Sequence, residues 1–263
     1  MASDFTLAEL CIAACAEVWR YDGEVLATGI TVVPRLAAGL AKATFNPALM
    51  MTDAEVYLVE DPVPMGPRGD YAILPEGWMS YARTFDNIYG GKRHALVAPV
   101  QIDRFGQTNI STIGERGKPK AALLGVRGYP GNSINHANSY FLPSHDTRAL
   151  VAGEVDFVCS LGYNPARWPD GKQPRFLDLR RIVTNLAVLD FEGAGNAIRV
   201  RSLHPGVGFD EVQSQTGFPL ERPAEVPTTP APTPEQLTLV RETLDPHGLR
   251  SSVFKGDPPG VRS

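Results

Sequence analysis

Three short glycine-bearing turns carry the residue types and spacings that could do chemistry in this sequence. The first, G-I-T-V-V-P at 29–34, leads from an apolar run into a segment of helical periodicity. Backbone amides at such a strand-to-helix turn can hold an anionic group, a phosphate or a thioester oxygen. The second is R-G-Y-P-G-N at 127–132, followed by Ser133, Asn135 and His136. Gly128 and Gly131 let the backbone approach a ligand closely. Tyr129, Pro130, Asn132 and His136 complete a loop with directional donors and acceptors, and Arg127 could pair with a carboxylate or phosphate. The third is Q-I-D-R-F-G-Q-T-N at 101–109, a strand, tight turn and strand with Gln101 and Asn109 near its tip. Each also has a plain structural reading: an ordinary strand-to-helix turn, a polar surface turn and a simple hairpin.

Other chemistries find no support. The chain has no G-x-S-x-G elbow, no H-E-x-x-H and no spaced G-x-G-x-x-G. Its five histidines are scattered singly, and His136, His145 and His204 read as hydrogen-bonded structural residues. Three cysteines without a C-x-x-C pair give neither a disulfide framework nor a zinc site, so Cys11 and Cys15 read as small buried residues of a protein in a reducing cytosol. No metal or redox cofactor is implied. A net charge of −4 argues against a nucleic-acid or anionic-membrane surface. No apolar run approaches the roughly 20 residues that span a bilayer, and no basic segment precedes an apolar stretch at the start. At 43% hydrophobic and 21% charged, the chain can bury a sizeable core.

The turns need elements to position them. T-L-A-E at 6–9 is a capping box opening an amphipathic helix that ends at Asp22-Gly23. A strand over 24–28 follows, then a helix over 36–42 that starts with Pro34 at its first turn. Apolar runs at 49–51 and 56–59, a Pro/Gly-rich loop at 60–70 and a helix over 75–87 come next. Short strands are expected at 94–100, 107–111, 121–124, 155–159 and 182–184, with a hairpin from 187–190 to 198–203 turning at 192–195. A short helix covers 209–215. Residues 221–233 are rich in Pro, Thr and Ala and read as an extended arm, followed by a helix over 234–243 and a frayed tail from 251. The expectation is an α/β layered domain over 1–220 with a mostly parallel sheet, and an extended C-terminal arm over 221–263.

The same turns carry a family resemblance. Gly29 to Pro34, the alanine-rich 37–42, N-P-A-L at 46–49, V-Q-I-D at 100–103, G-Q-T-N at 106–109 and Gly128 to Gly131 occur in order. V-D-F at 155–157, I-V-T-N at 182–185, H-P-G-V at 204–207, Glu211-Val212 and T-G-F at 216–218 follow. Together, over roughly residues 5–220, the chain resembles the β subunits of class I CoA-transferases. The resemblance implies a class I CoA-transferase-like layered fold, an acyl-CoA substrate with coenzyme A as part of it, and a separate α subunit in a heterodimer assembling as α2β2.

One departure decides what activity the resemblance implies. In transferases of this family a glutamate attacks the thioester. The corresponding stretch here is M-T-D-A-E-V-Y at 51–57, which places Ala54 at the nucleophile position; only a one-residue shift brings in Glu55. Glu55, beside Val56 and Tyr57, reads as strand rather than as the sharp turn a nucleophile needs. The whole pattern is most similar to an actinobacterial branch that lacks the glutamate and hydrolyses the last steroid ring while it is attached to CoA, with a general base from the α subunit. Under that resemblance, Arg127, Gly128, Tyr129, Pro130, Gly131, Asn132, His136, Gln101 and Asn109 are expected to contact the acyl-CoA. The alternatives are a true CoA-transferase using Glu55 and a non-catalytic scaffold subunit.

Overall fold

Thr6 caps the first helix, α1 (Leu7–Ala16): its hydroxyl accepts from the Glu9 amide at 3.2 Å, while the Glu9 carboxylate accepts from the Thr6 amide at 2.9 Å. This is the capping box that the sequence implies. The computed structural model describes residues 5–123, 125–254 and 256. These form two compact units, one within Met1–Val97 and Pro230–Ser263, the other within Ala98–Thr229.

In the first unit every residue of α1 is buried, and α1 packs on α2 (Val32–Ala43). β1 (Leu26–Gly29), which comes between them in the chain, packs on α2, and Met50 is bridged to it in parallel. An antiparallel ribbon of β2 (Tyr57–Val59) and β3 (Pro75–Trp78) precedes α3 (Tyr81–Tyr89), and β4 (Arg93–Val97) returns parallel to β1 with Leu26 opposite Arg93. The helix expected from 75 therefore starts only at 81. Gly77 is a poor helix former, Ser80 supplies the N-cap by accepting from the Arg83 amide, and the edge of β2 takes 75–78 as its partner. The C-terminal segment belongs to this unit. Its helix, Pro234–Thr238, is capped by Thr233 and Gln236 and widens into a π turn over Leu239–Leu244 that rests on Gly39 of α2. Buried Glu9 explains the attachment, since its carboxylate receives Arg241 at 2.8 Å and Arg250 at 3.1 Å. Of the tail expected to fray from 251, residues 251 and 252 complete a short 3-10 turn (Leu249–Ser252), while 255 and 257–263 lie outside the described residues.

The second unit begins with two short antiparallel ribbons: β5 (Gln101–Ile102) with β6 (Thr108–Asn109), and β7 (Thr112–Ile113) with β8 (Ala121–Ala122). The strand expected over 121–124 is two residues long, and Leu124 lies outside the described residues. A single helical turn, α4 (Tyr129–Asn132), leads to β9 (Ala137–Leu142), which pairs in parallel with β10 (Asp178–Thr184). β11 (Ala187–Asp190) and β12 (Arg199–Leu203) extend this sheet antiparallel, giving the expected hairpin, and α5 (Phe209–Ser214) follows. β9 is absent from the sequence expectation because Asn138 and Ser139 read as loop residues. Both are fully buried, and Asn138 donates to the Ser133 and His136 carbonyls. Conversely, 155–159 is not a strand. Its amides are met singly, Asp156 by the Gln101 side chain and Cys159 by the Thr108 carbonyl, rather than by a ladder. The units divide at 97/98 and 229/230 rather than at 220, because residues 221–229 run along β12. Val200 donates to the Glu221 carbonyl and Leu203 to that of Pro227, so this part of the arm is bridged to β12 near both of its ends.

Candidate active site

In the first unit two turns lie at the carboxyl ends of parallel neighbours, where open α/β sheets bind ligands. After β1, the chain at Gly29 comes so close to the α2 backbone that a Cβ would sit 2.1 Å from the Pro34 carbonyl oxygen, so only glycine fits. Thr31, at φ 83°, starts α2, and Pro34 is the third helical residue rather than the first. Arg35 donates to the Thr52 carbonyl at 2.7 Å and thereby ties the 29–34 turn to the 52–55 turn.

The second of these turns is built on Asp53. Its Oδ1 accepts from the amides of Glu55 (2.9 Å) and Tyr57 (3.1 Å), and Arg68 lies 3.3 Å from Oδ2. Burial pushes the Asp53 pKa up, but the two amides and Arg68 outweigh it and hold the carboxyl below its ordinary value. Ala54 is exposed at φ 78°, a left-handed conformation uncommon for residues other than glycine. Glu55 is exposed within this turn and the strand begins only at Tyr57, which corrects the strand reading of Glu55. The sharp backbone is thus present at position 54, carrying a methyl group.

The second unit holds the other two turns. In the 127–136 loop, Arg127 has φ 51°, and Arg127, Gly128, Pro130 and Gly131 are exposed, while Tyr129 is buried beneath them. Tyr129 N–H donates to the Val126 carbonyl and Asn132 N–H to that of Gly128, both at 3.0 Å. The Oδ1 of Asn132 is buried without a hydrogen bond among the described residues. His136 is buried, with Nδ1 2.9 Å from the Ala137 carbonyl oxygen. In the hairpin of β5 and β6, Gln101 and Asn109 meet side chain to side chain at 2.7 Å. Gln101 also accepts from the Asp156 amide and Asn109 from the Ser111 amide. Their amide groups brace the hairpin. Buried Asp103 accepts from the amides of Phe105 and Gln107 and from the Gln107 side chain; burial nevertheless holds its pKa above the ordinary value. A cleft of about 600 Å³ opens beside this hairpin, with Val100, Gln101, Lys120, Leu142, Asp146 and Arg148 among its walls.

Two histidines stay structural. His145 contacts the hydroxyls of Thr184 (2.9 Å) and Thr216 (2.8 Å), and burial brings its pKa down to about 4. His204 lies between Thr229 and the Thr184 carbonyl. Sequence reasoning passed over Arg35, Asp53 and Arg68. The available signal was an Asx turn, an Asp two residues before an exposed position. Among the described residues, no group of three or more His, Cys, Asp or Glu side chains is placed to hold a metal ion, and no helix is long and apolar enough to cross a membrane.

No protein-family model matches the chain. Individual proteins do. The cholesterol ring-cleaving hydrolase IpdB subunit of Mycobacterium tuberculosis is 39% identical over 250 residues, spanning 95% of this chain and 99% of that protein. The chain belongs to the IpdB family of hydrolase subunits. The crystal structure of Rhodococcus jostii RHA1 IpdAB superposes with a TM-score of 0.88 at 38% identity, over 96% of this chain and all of the matched one. Glutaconate coenzyme A-transferase from Acidaminococcus fermentans matches with a TM-score of 0.78 at 23% identity, over 95% of this chain and 98% of that one, so the family shares its α/β fold with a CoA-transferase.

Proposed function

We propose that this chain is the β subunit of a hydrolase that opens the last steroid-derived ring of a cyclic β-keto acyl-CoA in cholesterol or steroid catabolism. It works in the cytoplasm with an α subunit in an α2β2 assembly. The names of the relatives support the reaction and the pairing. The observation that carries hydrolysis over CoA transfer is Ala54, whose left-handed turn presents a methyl group where a transferase of this family would present its carboxylate.

The chemistry needs no acyl-enzyme. Water, deprotonated by a general base from the α subunit, adds its oxygen to the ring ketone carbon. The resulting alkoxide collapses and the adjacent C–C bond breaks. The electron pair passes into the thioester as an enolate, which is then protonated on carbon. In this scheme the β subunit shapes the pocket. The exposed face of the 127–132 loop meets the acyl-CoA, with Arg127 toward the propionate-like carboxylate of the substrate. Gln101, Asn109 and His136 hold the supporting backbone, and coenzyme A takes part only as part of the substrate, in the thioester that receives the electron pair.

Coexpression with the α subunit and turnover in heavy-oxygen water tests the proposal. With a 6-oxocyclohexene-carboxyl-CoA substrate, mass spectrometry should find an opened ring, one heavy oxygen in the new carboxylate and CoA retained. An intact ring with CoA moved to an added acid would establish transfer instead.

A further inference from the structure

The cleft beside the β5–β6 hairpin is bordered by one buried polar group that the hairpin leaves unused. The Asn109 side-chain oxygen accepts from the Ser111 amide at 2.9 Å and the Thr112 amide at 3.4 Å, which turns its nitrogen the other way. That nitrogen donates at 2.7 Å to the Gln101 side-chain oxygen, which also accepts from the Asp156 amide at 3.0 Å. Two donors on one oxygen fix the orientation of the Gln101 amide, so its NH2 group lies on the opposite side. Gln101 is only 6% exposed, and its Nε2 meets no acceptor among the described residues. Nor is Nε2 one of their sealed, unbonded polar atoms, so the small open part of Gln101 includes this nitrogen. The space that Gln101 borders is the cleft of about 600 Å³. A buried amide nitrogen held at a fixed angle on such a space offers hydrogen bonds to a carbonyl oxygen.

We propose that this cleft takes the phosphopantetheine arm of the acyl-CoA, with Gln101 Nε2 donating to an amide carbonyl of the arm and Lys120 meeting its phosphate. The inference rests on the reading of the chain as a subunit acting on acyl-CoA, and deepens it by giving the arm a place. Val100, Leu142 and Val151 offer apolar walls to the methyls and methylenes of the arm. Lys120 is exposed at the cleft and makes no ion pair among the described residues, so its charge is open to a phosphate. The reacting end of the substrate fits less well. Asp146 and Arg148, also in the walls, satisfy each other at 2.8 Å, and the Ser144 hydroxyl is spent on Asp146. Gln101 is left as a lone neutral donor. The negative charge that grows on a thioester oxygen during ring opening calls for several converging donors, whereas an amide carbonyl is served by one.

Calorimetry with 4′-phosphopantetheine on the assembled enzyme tests the site without turnover. Gln101→Glu keeps the oxygen that Asn109 and Asp156 use and removes only the donor. It should melt close to the parent and bind the probe about tenfold more weakly. Lys120→Ala should weaken phosphopantetheine about threefold and leave pantetheine, which lacks the phosphate, unchanged; it also serves if Gln101→Glu does not assemble. In turnover, Gln101→Glu should raise KM about tenfold for the CoA thioester of the ring substrate and leave KM unchanged for its S-methyl thioester, which has no arm. Equal losses on both esters would give the bonded oxygen to the thioester and overturn the assignment to the arm. Probe affinities within about twofold of the parent in both variants, or no binding by the parent, would overturn the site. If the parent binds the probe through Gln101 and Lys120 but opens no ring, the hydrolase reading falls and the site stands.

Discussion

Position 54 shows how much one side chain can decide. The turn at 52–55 is held by the Asp53 carboxylate, Arg68 and the Arg35 bond to Thr52, so its shape does not depend on what residue 54 carries. With alanine there, the neighbouring acid is Glu55, whose backbone amide is committed to Asp53 and whose side chain is exposed. A nucleophile must be held within reach of the carbonyl, and an exposed side chain one residue off the bend is not. Glu55→Gln is therefore expected to leave ring opening within about twofold of the parent rate, measured as kcat/KM with the ring substrate. Complete loss of activity would return the thioester-attack reading to consideration.

Among the elements, the attachment of the C-terminal helix to α1 carries an unusual load. Glu9 sits on a helix that is buried along its whole length and is 2% exposed itself, yet it stays ionised. Burial pushes its pKa up, but Arg241, the Thr6 amide and Arg250 more than reverse that. Removing one member of a buried pair leaves the others uncompensated, at about 3–5 kcal/mol in a dry interior. Here the arginine side chains are 33% and 17% exposed, so water screens part of the loss and about 2 kcal/mol is the expected cost of Glu9→Ala. Urea unfolding should show it as a lower midpoint. Limited proteolysis should cut first within 230–254, since that segment loses its anchor. The same substitution at Glu17, an exposed partner of Arg20, should change little.

For the whole molecule, pH dependence follows from His145. Its folded pKa of about 4 lies below the 6.5 of an unperturbed imidazole, so between these values the unfolded chain takes up a proton that the folded one refuses. Stability is then complete above pH 6.5, falls as pH drops toward 4, and loses nothing more from this group below that. The ceiling is about 3 kcal/mol. Asp146 acts in a lower window. Its carboxyl, held at about 2 chiefly by Arg148, contributes stability above 3.8 that disappears as pH falls through 2. Thermal melts from pH 7.5 to 4 should show the first decline, and His145→Gln should flatten it. An unchanged slope in that variant would assign the decline to other groups.

Periodicity and turn chemistry by themselves determined the helices α1, α2 and α5, the β11–β12 hairpin and the α/β class, because these features rest on neighbours a few residues apart. The order of the glycine turns along the chain was enough for the family, and the replacement of a carboxylate by Ala54 was visible as a letter. What only the tertiary structure decided depends on distant partners. Residues 75–78 became strand because β2 offered an edge, and Asn138 and Ser139 entered a buried strand because their polar atoms found partners inside. Residues 155–159 lost a ladder because side chains and single carbonyls satisfied their amides. The site divides in the same way. Arg127 and the glycines of its loop could be picked out from residue type, since exposed groups act through their own chemistry. Arg35, Asp53 and Arg68 could not, because burial and the partner each side chain meets across the fold determine their part, and neither is written in local sequence.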